Sequence, residues 1–139
     1  MNLAIAPHSA KKPQTIANWD MSHVRNYLMR RHHLTLSHVE AMEVEYKRYM
    51  KLRVTYPDKI LPTSSEVDPM WHAHILFTKD YAAMCESVGI DFIHHKPTDS
   101  DAEERSLDKE YELSTLVLYN KHFGEPPRQF WPVNAAICW

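Results

Sequence analysis

The stretch Val67-Asp68-Pro69-Met70-Trp71-His72-Ala73-His74-Ile75-Leu76 decides how the fold is read. Asp68 is placed to cap a helix, and Pro69 to enter its first turn, where a missing N–H leaves no hydrogen bond unmade. Trp71, Ile75, Leu76, Tyr81, Ala82 and Cys85 continue the helical spacing to a stop at Gly89. Upstream, residues 57–67 form a loop. Before it, Ser37-His38-Val39-Glu40 has the pattern of a capping box and opens a helix that runs to about Tyr56, before Pro57. Val39, Met42, Val44, Tyr46, Tyr49 and Met50 supply its apolar surface. A first helix covers residues 20–32, capped by Asp20 or Ser22, with Val24, Tyr27, Leu28 and Arg31 at helical spacing. Residues 1–18, with Pro7 and Pro13, read as a flexible N-terminal arm.

Downstream of Gly89, Asp91–His95 is a short extended segment and residues 97–102 an acidic turn. A fourth helix spans about 103–122 and ends at Gly124, a glycine placed to close a helix. The tail Pro126-Pro127-Arg128-Gln129-Phe130-Trp131-Pro132 cannot be helical and is expected to lie extended across the bundle, with Phe130 and Trp131 as anchors. The sequence therefore predicts an all-α fold, about four helices in a compact bundle, forming a single helical domain over residues 19–139.

Composition narrows the function classes. The two glycines, Gly89 and Gly124, leave no glycine-rich phosphate loop. Two cysteines do not make a disulfide framework, and no apolar run approaches a membrane span, so a cytoplasmic protein that does not enter a membrane is expected. The net charge of -2 hides an asymmetry. Residues 1–60 carry ten Lys/Arg against five Asp/Glu, and residues 61–139 carry six against thirteen. Complementary packing of the two halves accounts for this most simply. The densest basic cluster, Lys47, Arg48, Lys51 and Arg53, is a weak basis for nucleic-acid binding, which is not expected.

Chemistry, if any, belongs to the histidines, because imidazole is both a metal ligand and a proton carrier near neutral pH. His72 and His74 are two apart on a helix and point about 200° from one another, so they cannot grip one ion together unless the helix breaks. Asp68 and His72 share a face. His74 lies on the opposite stripe with Thr78, Tyr81 and Cys85. Cys85 is about 16 Å further along the axis, which excludes a zinc site built from His74 and Cys85 within this helix. If residues 91–95 are extended, Phe92 facing inward takes His94 with it, and Ile93 facing inward takes His95. The candidate metal set is thus Asp68 and His72 with His94 or His95, two histidines and a carboxylate suited to Fe, Mn or Zn. Trp71, His74 and Tyr81 would line or support it. The competing reading is a structural His/Trp/Asp network. His23, His32, His33 and His38 read as surface residues, His122 as a cation at a helix C-terminus, and Cys85, beside Glu86, as a core thiol.

The ordered string Val67-Asp68-x-x-Trp71-His72-x-His74-Ile75-Leu76, Tyr81, Cys85, Phe92-Ile93-His94-His95-x-Pro97 resembles the glycine-rich domain-containing-protein-like family. Tyr119-x-x-x-Phe123-Gly124-Glu125-Pro126-Pro127 and Trp131-Pro132 are similar to that family's closing segment. The likeness covers residues 20–133 and lacks the glycine-rich tract. It implies a helical core domain without an assigned activity. Where bacterial relatives continue with an aromatic run after the second histidine pair, this chain has Lys96-Pro97-Thr98-Asp99-Ser100; if that run closes a pocket in the relatives, the resemblance implies a pocket here that is more open or lost.

The residues support two functions: a binding module for a protein or peptide partner with a structural His/Trp/Asp cluster, or a metal-binding protein or metal-dependent enzyme using Asp68, His72 and His94 or His95.

Overall fold

Helices are what this apolar spacing dictates, and helices dominate the computed structural model, which describes residues 15–133 and the backbone of 136–138. After a 3₁₀ turn at Ile16–Asn18 come α1 (Ser22–His32), α2 (Leu36–Thr55), α3 (Asp68–Leu76) and α4 (Thr78–Ser87). α5 (Asp101–Glu110) and α6 (Leu116–Phe123) are joined by a π-helical stretch at Tyr111–Thr115, so 101–123 is one continuous helical rod. Two short strands, β1 (Thr63–Ser64) and β2 (Ala136–Cys138), pair antiparallel with a bulge between Thr63 and Ser64. Residues 1–14 of the expected arm lie outside the described residues; the remainder, Thr15–Asn18, holds the 3₁₀ turn, with Ile16 buried.

Several element ends differ from the expected ones by a turn or less. α2 is capped by Thr35 rather than Ser37: the Thr35 hydroxyl accepts from the His38 N–H at 3.2 Å, because His33 turns left-handed (φ 55) and delivers Thr35 extended to the helix start. α1 starts at Ser22 with Met21, not Asp20 or Ser22, in the cap position; Asp20 accepts from the Ser22 N–H at 2.9 Å just ahead of it. Asp68 is the first residue of α3 rather than its cap, and Val67 holds the cap position. Both glycine stops are used. Gly89 and Gly124 adopt φ 81 and φ 87, a region costly for any side chain.

The largest departure is in the helix expected to run from 68 to 89. It breaks at Phe77 (φ -87, ψ 71), whose N–H bonds back to His74 O while its carbonyl starts α4 by accepting from Tyr81. Neither proline nor glycine marks this break, and the apolar spacing runs through it unchanged.

The core is aromatic. Tyr46, Tyr49, Trp71, Tyr81, Tyr111, Tyr119 and Trp131 are all buried. The tail enters it at Phe130 and Trp131, as expected, but by a turn, with the Phe130 and Trp131 N–H groups donating to Pro127 O. Trp131 Nε1 donates to Glu45 at 2.9 Å, and Tyr119 O–H donates to the same carboxylate oxygen. Ser64 fixes the tail to the start of α3 by donating to Phe130 O and accepting from the Val67 N–H at 3.1 Å.

Candidate functional site

The residues singled out in the sequence fall into two clusters. In the first, residues 91–95 lie against the start of α3. Ile93 is the inward residue and Phe92 the exposed one, so His95 turns inward and His94 outward. His95 Nε2 lies 2.6 Å from Asp68 Oδ1, and its ring stacks on Trp71 with centroids 4.0 Å apart. Trp71 Nε1 donates to Tyr81 O–H at 3.0 Å, and that hydroxyl donates to Ile93 O. Burial pushes the Tyr81 phenol well above its ordinary value, so it stays a donor. Arg53 completes the clasp. It donates to Tyr49 O–H at 2.9 Å and to His94 O at 3.3 Å, and its guanidinium lies 5.3 Å above the Trp71 ring. His72 is exposed, with its ring 6.4 Å from His95. His94 contacts Phe92 instead, at 5.1 Å. Asp68 and His95 therefore meet, with His72 beside them and His94 directed elsewhere. Among the described residues no group of three or more His, Cys, Asp or Glu side chains is arranged to hold a metal ion.

The second cluster depends on the break at Phe77. Residues six apart on an unbroken helix lie about 9 Å apart along the axis and on different faces. The break brings His74 Nε2 to 2.7 Å from Asp80 Oδ2. His74 is fully buried, and desolvation pushes its imidazole below 6.5 despite the Asp80 carboxylate. Neutral His74 thus donates Nε2–H to Asp80 and accepts at Nδ1 from Tyr46 O–H, 2.7 Å away. Trp19 Nε1 also donates to Asp80 Oδ2, at 3.0 Å, and His23 Nε2 lies 3.1 Å from it, out of hydrogen-bond alignment. Burial works to raise the Asp80 carboxyl, but the bonds from Trp19 and His74 and the nearby His23 outweigh it and hold it below 3.8.

His23 reads as a surface residue in the sequence, yet its Nε2 is buried. One signal was available: His23 shares a helical stripe with Tyr27. Asp80 carried no local signal, because its partner Trp19 is 61 residues away. A cleft of about 460 Å³ adjoins this cluster, lined by His23, Asn26, Tyr27, Arg30, Arg31 and Phe77.

The basic cluster on α2 is largely tied inward. Lys47 pairs with Glu43 at 2.7 Å and donates to Trp19 O at 2.6 Å. Arg48 pairs with Glu45 and donates to Tyr119 O–H at 2.8 Å, and Arg53 belongs to the clasp. Cys85 is a buried free thiol whose pKa burial raises. His122 shares a 2.7 Å hydrogen bond with Tyr56 O–H. The Trp139 end of the tail lies outside the described residues. No helix among the described residues is long and apolar enough to cross a membrane.

The chain belongs to the UCP032817-like family, whose family model matches residues 11–115. This corrects the resemblance to the glycine-rich domain-containing-protein-like family. The match takes in α1, α2, the clasp and the Asp80 cluster as one continuous stretch, whereas the resemblance rested on short Trp/His and Pro/aromatic strings. Such strings serve helix starts and buried aromatic packing in any fold. The family's description names no activity. No curated protein and no solved structure matches the chain.

Proposed function

We propose that this chain is a small cytoplasmic binding module that recognises an amphipathic segment of a protein partner, and that its His/Trp/Asp cluster is structural. The observation that carries this is a patch of large apolar side chains left outside the core. Leu113 is 70 %, Val117 57 % and Val133 58 % exposed. Val117 and Val133 line a groove with Glu112, Leu116, Asn120 and Arg128. Exposed apolar surface rimmed by polar groups marks interaction sites. Asp68, Trp71, Tyr81 and His95 are meanwhile engaged in fastening residues 91–95 to α3. Peptides selected from a display library on the wild-type protein should bind Val117→Asp at least ten-fold more weakly. Selected peptides that bind both proteins equally would refute the surface.

A second reading has Asp68, His72 and His95 as ligands of Fe, Mn or Zn, with any reaction at that ion. The 6.4 Å approach of the His72 and His95 rings favours it. Thermal unfolding separates the two. A structural clasp leaves the wild-type melting temperature unchanged by EDTA and lowers it in Asp68→Ala. A metal site makes the wild type EDTA-sensitive and the variant insensitive.

A further inference from the structure

We propose that the cleft between α1 and Phe77 is a second binding site, for a small molecule carrying an oxyanion beside a ring-sized apolar group. It shares no residue with the α6 groove, so it stands or fails independently of the partner reading. The α1 residues of the cleft are His23, Asn26, Tyr27, Arg30 and Arg31, at positions i, i+3, i+4, i+7 and i+8, one continuous face of the helix. The opposite face carries Val24 and Leu28 into the core. The lining is thus set by the sequence of one rigid element, anchored from behind.

Charge supplies the oxyanion preference. Helix α1 contains no acidic residue. Arg25 is neutralised by Glu43, but Arg30 and Arg31 form no ion pair among the described residues. Two guanidinium groups on one cleft offer the forked donors that match phosphate and carboxylate oxygens. His23 gives the site a fixed polar group. Asp80 faces its buried Nε2, and Asp80 is held in turn by Trp19 and His74, so the ring's other nitrogen, which has no hydrogen bond among the described residues, is the one left for a ligand. The aromatic wall supplies the apolar preference. Phe77 packs edge-on against His23 at 4.8 Å and against Tyr27 at 6.1 Å. The cleft's volume of about 460 Å³ suits a small ligand.

Phenyl phosphate carries both features, and isothermal titration of the full chain tests them. Phenyl phosphate should bind saturably, and more tightly than inorganic phosphate or phenol. Arg30→Gln/Arg31→Gln should weaken it about ten-fold or more, the scale of a lost charge-assisted contact. Arg105→Gln, on the exposed side of α5, should leave it unchanged. Amide and ring NMR signals of His23, Tyr27 and Phe77 should move on titration. Absence of saturable binding, equal affinity for phenol or for inorganic phosphate, or equal weakening by Arg105→Gln would each overturn the proposal. Circular dichroism of the variants guards against loss of fold.

Discussion

Removal of one oxygen tests how residues 91–95 are held. Tyr81→Phe keeps the ring, which is fully buried, and opens almost no cavity. It deletes the hydroxyl that accepts from Trp71 Nε1 at 3.0 Å and donates to Ile93 O. Both orphaned groups belong to buried residues, and each buried group left unsatisfied costs about 1–3 kcal/mol. Against this, the phenylalanine no longer has a hydroxyl to desolvate, which recovers part of the loss. The expected destabilisation is about 2–4 kcal/mol. For a domain of this size that lowers the melting temperature by roughly 6–20 °C. Urea unfolding followed by circular dichroism should show a lower midpoint with an unchanged slope, since the surface exposed on unfolding stays the same. Native-state hydrogen exchange should speed up in residues 91–95 before it does in α5 and α6. A loss below about 1 kcal/mol would refute the argument, because the orphaned groups would then have found other partners.

The remaining predictions concern the buried polar groups. Trp131→Phe removes one of the donors to Glu45, which is 5 % exposed, and should cost about 1–3 kcal/mol in chemical denaturation; a neutral result would show that the tail is not pinned there. His74 has a folded pKa below its unfolded 6.5, so the unfolded chain binds the proton more tightly. The stability this contributes is complete above 6.5 and is lost as the pH falls below it, whereas Asp80, depressed below 3.8, begins to matter only at lower pH. The melting temperature should therefore drop as the pH falls from about 7 to 5, and His74→Gln should flatten that profile; an unchanged profile would remove His74 as its source. Tyr46→Phe removes the donor to His74 Nδ1 and should destabilise by about 1–2 kcal/mol, read from urea midpoints; a stabilised variant would contradict the assigned direction of that hydrogen bond.

What could be read from the sequence was local. The 3.6-residue apolar period located the helices, and Pro57, Gly89 and Gly124 marked three of their ends, because these residues constrain the backbone by themselves. The choice between His94 and His95 reduced to which of Phe92 and Ile93 faces inward, and the structure selects Ile93. Thr35 was overlooked as a cap because Ser37 and Glu40 offered a fuller local pattern, and the left-handed turn at His33 that decides the matter has no sequence marker. The break at Phe77 was illegible for a stronger reason. It is stabilised by Asp80 meeting His74, Trp19 and His23, partners up to 61 residues away, while the apolar spacing continues across it. His23 shares that fate: its role comes from α3 and the Phe77 turn packing beside α1, not from its neighbours in sequence. The basic residues of α2 drew attention by density, yet Lys47, Arg48 and Arg53 bind inward, whereas Arg30 and Arg31 on α1 form no ion pair among the described residues.

The most direct measurement is elemental analysis of tag-free protein for Fe, Mn, Zn and Cu, before and after reconstitution, with Asp68→Ala and His95→Ala alongside. A structural Asp68–Trp71–His95 clasp predicts no stoichiometric metal in any of the three proteins and lower melting temperatures in both variants. Near-stoichiometric metal in the wild type, absent from variants that remain folded, would contradict the account and make Asp68, His72 and His95 a metal centre.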